Sequence, residues 1–140
     1  MREAVYSALE RLVEAIPGVR TFGRRLKHWS DVDAGEQPAI YLVPDNQRVE
    51  LKGHGLPPLL HMPVKLYLYN QNHDPAQQND LLDAIGQALV PPKGEESLTL
   101  GGLAHHCRIE GEIETDAGFL GEQAVAIIPI EILISEAGHA

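Results

Sequence analysis

A chain of 140 residues with 44% apolar side chains is long enough to bury roughly 70% of its unfolded surface, which removes intrinsic disorder as the default. A formal charge of −9 excludes a broad phosphate-tracking surface, because nucleic-acid affinity rests on Lys and Arg displacing counterions. The single cysteine, Cys107, rules out an intrachain disulfide, so the fold must stand on its core.

Aromatic residues make up only 5% of the chain, so that core is expected to be mainly Leu, Ile and Val. No uninterrupted apolar stretch approaches the ~20 residues of a membrane span, and no membrane partner is expected. Met1-Arg2-Glu3-Ala4 opens as an amphipathic helix rather than an apolar signal core, so export by a signal peptide is not expected either.

Glu3 to Ile16 places Val5, Leu9, Leu12, Val13 and Ile16 at helical spacing, with Glu10, Arg11 and Glu14 opposite. Pro17-Gly18 ends this helix. Val19 to Leu26 reads as extended and His28 to Gln37 as a polar loop. Pro38 to Val43 reads as a buried strand. Beyond a kink at Pro44-Asp45-Asn46 the pattern alternates, with Val49 and Leu51 on one side and Arg48, Glu50 and Lys52 on the other.

After the Gly53–Pro58 turn, Leu59 to Asn70 returns with Val64, Leu66 and Leu68 alternating against Lys65, Tyr67 and Tyr69. The two runs form a predicted long antiparallel hairpin. Pro63 cannot donate to a ladder, which predicts an edge or a bulge there. Asp74-Pro75-Ala76-Gln77 combines a cap, a proline fit for the first helical position and a capping-box-like spacing. The helix that follows buries Leu81, Leu82, Ile85 and Leu89 and stops at Pro91-Pro92. Leu98-Thr99-Leu100 reads as a short strand.

Two strands close the chain. The first alternates Ile109, Gly111 and Ile113 with Arg108, Glu110, Glu112 and Glu114, giving one apolar and one acidic face. A turn spans Asp116 to Gly121. The last strand carries Ile128, Ile130, Ile132 and Ile134 on one face, and Pro129 and Glu131 on the other suggest an edge or a solvent-facing side. The fold class read from this order is α+β: a mostly antiparallel (mixed) sheet with two amphipathic helices packed on one face. Residues 1–135 form one domain, with a frayed tail at 136–140.

Chemistry is sparse. Gly53-His54-Gly55 runs into Leu56-Pro57-Pro58, which cannot open a phosphate-cradling helix. His105, His106 and Cys107 are adjacent, and His105 and Cys107 on one strand face would suit zinc, yet no local spacing supplies further donors; only His61 or His73 is available through the fold. Asp31 and Asp33 flank Val32 at a spacing that suits a divalent ion, but exposed loop acids of this kind are ordinarily solvated. The like acids Glu110, Glu112 and Glu114 offer none of the asymmetry that general acid–base work needs. Ser7, Ser30, Ser97 and Ser135 lack a nucleophile-elbow context. The expectation is no catalytic residue, no metal and no cofactor. Two surfaces remain: the acidic row Glu110, Glu112, Glu114 and the basic cluster Arg20, Arg24, Arg25, Lys27.

The opening helix Ala4–Glu10, the strands Gln37–Leu42 and Val64–Tyr69, the helix Asn79–Ile85 and the final strand Ala126–Ile134 occur in an order and at lengths that resemble the tail terminator (minor tail protein U-like) family of long-tailed phages. The Gly53–Pro58 connection and the histidines do not map onto that pattern. The resemblance implies a structural protein of the virion tail, assembled in the bacterial host cytoplasm. It implies a homo-oligomeric ring, usually hexameric, that caps the tail tube and meets a neck or head-completion protein. The acidic row would then face a DNA channel or a partner, and the basic cluster an inter-subunit or partner contact, without specific nucleic-acid binding. The alternatives are a neck or tail-completion protein of similar fold, a small metal-dependent hydrolase using His105, His106 and Cys107 or Asp31 and Asp33, and a host-encoded binding module.

Overall fold

A computed structural model describes residues 1–71 and 75–135, with residues 117–120 described in their backbone only. Helix α1 (Arg2–Glu14) buries Val5, Tyr6, Leu9 and Val13, the stripe that the 3.6-residue period selects. Helix α2 (Pro75–Ala88) starts on its proline and buries Gln78, Leu81 and Ile85, while Leu82 is half-buried. The Asp74 cap, His73 and the 136–140 tail lie outside the described residues.

Eight strands make one mixed sheet: β1 (Thr21–Gly23), β2 (Ala39–Pro44), β3 (Arg48–Glu50), β4 (Leu59–His61), β5 (Val64–Gln71), β6 (His106–Ile109), β7 (Glu114–Leu120) and β8 (Gln123–Ser135). The predicted hairpin is present. β2 pairs antiparallel with β5 and β3 with β4. Residues 45–47 lie opposite only 62 and 63, one residue too many, so the chain bulges there. Pro63, without an N–H, sits in that break, and its carbonyl takes the Asp45 N–H at 2.9 Å. Of the two outcomes expected at Pro63, the bulge is the one realised.

β8 runs along the other side of β4 and β5 in a single continuous register, from Leu59↔Ser135 to Gln71↔Gln123. Its far side pairs with β6 and β7. The last strand is therefore central, and of the edge or solvent-facing side that Pro129 and Glu131 suggested, the second is realised, both being half-exposed. Its proline leaves its mark instead on the neighbour. Residues 110–113 lie opposite only 128 and 129, so β6 and β7 are offset by two extra residues. At that point Pro129 offers no N–H, and Gly111 takes φ 118° with a would-be Cβ only 3.2 Å from the proline ring. The one acidic strand expected over 108–114 is thus two strands with an irregular link. Ile113, expected inside, is 39% exposed.

The remaining departures are local. Only Thr21–Gly23 of the extended 19–26 segment joins the sheet, parallel to β2. The 28–37 loop contains two short 3-10 turns, Trp29–Asp31 and Ala34–Glu36. Leu98–Leu100 is no strand, because Leu100 takes a left-handed φ of 54° ahead of Gly101 and Gly102, although the Leu98 carbonyl still accepts the Cys107 N–H at 2.9 Å. The closing turn is tighter than expected, at Gly121-Glu122.

Both helices cover one face. Ile40 and Leu42 of β2, Val64, Leu66 and Leu68 of β5, and Ala126 to Ile134 at every second position of β8 meet Leu9, Val13, Leu81 and Ile85 in the main core. The opposite face holds a smaller cluster, Val32, Ala39, Tyr41 and Tyr69, with Trp29, Tyr67 and Val125 against it. The 28–37 segment roofs this second cluster.

Candidate functional site

The roof segment is fastened at both ends. The Tyr69 hydroxyl donates to the Lys27 carbonyl at 2.6 Å. At the other end Gln37 and Gln123, each 3% exposed, exchange amide hydrogen bonds of 3.1 and 3.0 Å, and Gln37 also donates to the Val32 carbonyl at 3.0 Å. Neither glutamine stood out in the sequence, since a lone Gln before Pro38 looks like an ordinary loop residue. Thus held, Trp29 reaches β7 and β8. Together with Glu114, Thr115, Asp116, Val125 and Ile127 it lines a cleft of about 250 Å³. Glu114 is exposed, and the buried Asp116 Oδ1 meets no donor among the described residues. A cleft with an indole wall, an apolar floor and two carboxylates suits the tip of a cationic side chain.

A second, polar hollow lies on the same face, lined by Arg48, His61, Pro63, Glu110 and Glu131 among others. Arg48 and His61 of its lining face Glu50, and Glu110 pairs with Arg108. His61 Nε2 lies 2.7 Å from Glu50 and Lys52 Nζ 2.9 Å from the same carboxylate. These partners, Lys52 first, hold Glu50 down at about 2, well below the range a general acid needs near neutral pH.

The three acids of the expected row are separated by the break. Glu110 follows the end of β6 and pairs with Arg108 at 2.8 Å, Glu112 sits in the irregular link, and Glu114 opens β7. All three are exposed. The basic cluster also divides. Arg24 turns back onto α1, 2.9 Å from Glu3 and 3.4 Å from Glu10, with its guanidinium 5.3 Å from the Tyr6 ring centre. That contact holds the Glu3 carboxyl down at about 2. Arg20, Arg25 and Lys27 stay exposed around β1, and the Arg20 guanidinium donates to the Gly35 carbonyl at 3.4 Å.

The histidine–cysteine run does not converge. Cys107 is buried in the main core while His105 is exposed. Burial, with Arg108 next, pushes the His106 imidazole below its ordinary range. Among the described residues no three His, Cys, Asp or Glu side chains come together in a metal-sized group. Asp31 and Asp33 are both exposed, the first ending one 3-10 turn and the second preceding the other.

Burial raises the Cys107 thiol from 9.0 to about 12, a ~1,000-fold smaller thiolate fraction at neutral pH. Native protein is therefore expected to resist a disulfide-exchange reagent such as Ellman's, and to release one reactive thiol only in guanidinium. Rapid stoichiometric labelling of the native protein would contradict this burial.

No family model and no curated protein sequence matches the chain. Among solved structures, a chain of the "Virion of native gene transfer agent (GTA) particle" superposes on it at a TM-score of 0.55 with 10% identity. The alignment covers 96% of this chain and 94% of that one. The two share a fold. At this identity it is the succession and packing of elements that is alike, end to end, and not any set of side chains. Among the described residues no helix is long and apolar enough to cross a membrane.

Proposed function

We propose that the protein is a structural component of a phage-like virion, a tail terminator that closes the tail tube as a homo-oligomeric ring and presents a surface to the neck. The observation that carries this reading is the end-to-end fold likeness to a virion-particle chain, joined to the order of elements that resembles the terminator family. The surface is consistent with it. Among the described strands four pair with one neighbour only, β1 with β2, β3 with β4, and β6 and β7 with β8, and open edges invite pairing with another chain. On this reading the protein is not an enzyme.

Native mass spectrometry of the purified protein, alone and with tail tubes, tests the assignment. A closed ring, hexameric by the terminator reading, is expected, as are over-long tubes when the gene is deleted in the producing cell. A chain that stays monomeric at every concentration and never caps a tube would refute the proposal. Normal-length tails that fail to join heads would move the protein to the adjacent neck position.

A further inference from the structure

Two of the strands with an unpaired side, β1 and β7, differ in their exposed charges and stand level with one another. In the pairing registers Thr21, Ala39, Tyr69, Val125 and Asp116 form one row across the sheet, and Gly23, Tyr41, Tyr67, Ile127 and Glu114 form the next row on the same face. The short edge strand β1 thus lies at the same height as the start of β7 on the opposite edge. Around β1 the exposed ionic groups are Arg20, Arg25 and Lys27, together with Asp31, Asp33 and Glu36 on the adjoining roof segment. On the β7 side they are Glu112 and Glu114, beside the Trp29 cleft in which the Asp116 Oδ1 lacks a donor.

Resting on the ring reading above, we infer that the acidic β7 edge of one copy receives the basic β1 edge of the next, with a cationic side chain of the Arg20–Lys27 segment entering the Trp29–Glu114–Asp116 cleft. Three physical consequences favour a second copy of this chain as the occupant. Two acidic edges repel, as do two basic ones, so the symmetric dimer that open edges otherwise form is disfavoured and head-to-tail joining is favoured. β1 runs parallel to β2, which is antiparallel to β5, β5 to β8, and β8 to β7. A neighbour in the same orientation therefore brings its β1 antiparallel to β7. Because the two edges share a row, successive copies join without a rise along the strand direction. Head-to-tail contacts that rotate without rising close into a ring, whereas those that rise give filaments.

The test is a pair of charge reversals on exposed side chains outside the core. One variant is Glu112→Lys/Glu114→Lys and the other Arg25→Glu/Lys27→Glu. Each alone presents like charges at every junction and is expected to raise the concentration needed for ring formation ~10-fold or more, with the wild-type thermal unfolding curve kept. Mixed in equal amounts, the two are expected to restore rings in which they alternate, which native mass spectrometry reads as equal numbers of each mass. High salt should weaken the wild-type ring in parallel. Variants that both assemble as readily as wild type place the contact elsewhere and overturn this inference while leaving the ring reading intact. Failure of the mixture to recover while both variants remain folded also overturns it. A wild-type chain that never associates sinks both.

Discussion

Replacing Ile130 with alanine is expected to destabilise the protein by ~2–5 kcal/mol, the cost of deleting a large buried aliphatic group and leaving a void that its surroundings only partly fill. Ile130 is fully buried and stands where the sheet is tied from both sides, opposite Val64 of β5 and Ile109 of β6. Its side chain lies on the face covered by both helices, within the cluster that also contains Leu9, Leu66 and Ile85. Collapse around the gap is restricted because the backbone is held by ladders on each flank. Urea unfolding followed by circular dichroism should show a lower midpoint with an unchanged slope, since the same surface is exposed. Glu131→Ala, one residue along on the half-exposed face, should change stability by about 0.5 kcal/mol or less. If the two variants cost the same, β8 is not the packed centre of the sheet.

The second large effect belongs to the Gln37–Gln123 pair. Each amide is buried and each donates to the other's oxygen, at 3.1 and 3.0 Å. Gln37→Leu leaves Gln123 Oε1 without its donor in a dry site, while Gln123 Nε2 keeps the Ala124 carbonyl at 2.9 Å, a cost of ~1–3 kcal/mol. Gln123→Leu should cost a similar amount. The double replacement removes both polar groups together and should cost less than the sum, with a coupling of ~0.5–3 kcal/mol. The consequence reaches the candidate site, because Gln37 anchors the segment that carries Trp29 to β7. Indole fluorescence of either single variant should shift toward that of a solvated tryptophan before global unfolding. Strictly additive losses, with unchanged Trp29 emission in the folded state, would show that the pair neither cooperates nor holds the roof.

Periodicity alone was sufficient to assign most of the secondary structure. The spacing of Val5, Leu9 and Val13 and of Leu81 and Ile85 marks both helices, and alternation marks β2, β5 and β8, because each element must bury one face and its apolar residues recur at that element's own repeat. Pro17-Gly18 and Pro75 mark helix ends through missing donors and fixed φ, which are local properties. The α+β class follows from the order of these elements.

What local pattern could not encode was which strand lies beside which. Pro129 with Glu131 read as an edge or a solvent-facing side, and only the strand partners decide between the two: β8 is central, and the missing N–H is absorbed by a two-residue offset between β6 and β7. That offset also dissolves the acidic row, since the alternation of Glu110, Glu112 and Glu114 assumed an unbroken strand. Arg24 was counted with its basic neighbours until the chain brought Glu3 and Glu10 of α1 against it. Gln37 and Gln123 are 86 positions apart, a distance across which no window of sequence reports a contact.

The candidate cleft has the same origin. Trp29, Asp116 and Val125 come from three separate segments, and only the sheet registers and the tethered roof make them neighbours. Residue chemistry and repeat determine which elements form and which face each one buries. Long-range pairing, governed by donors present or missing at particular backbone positions, decides which edges stay open and therefore where another copy of the chain has room to dock.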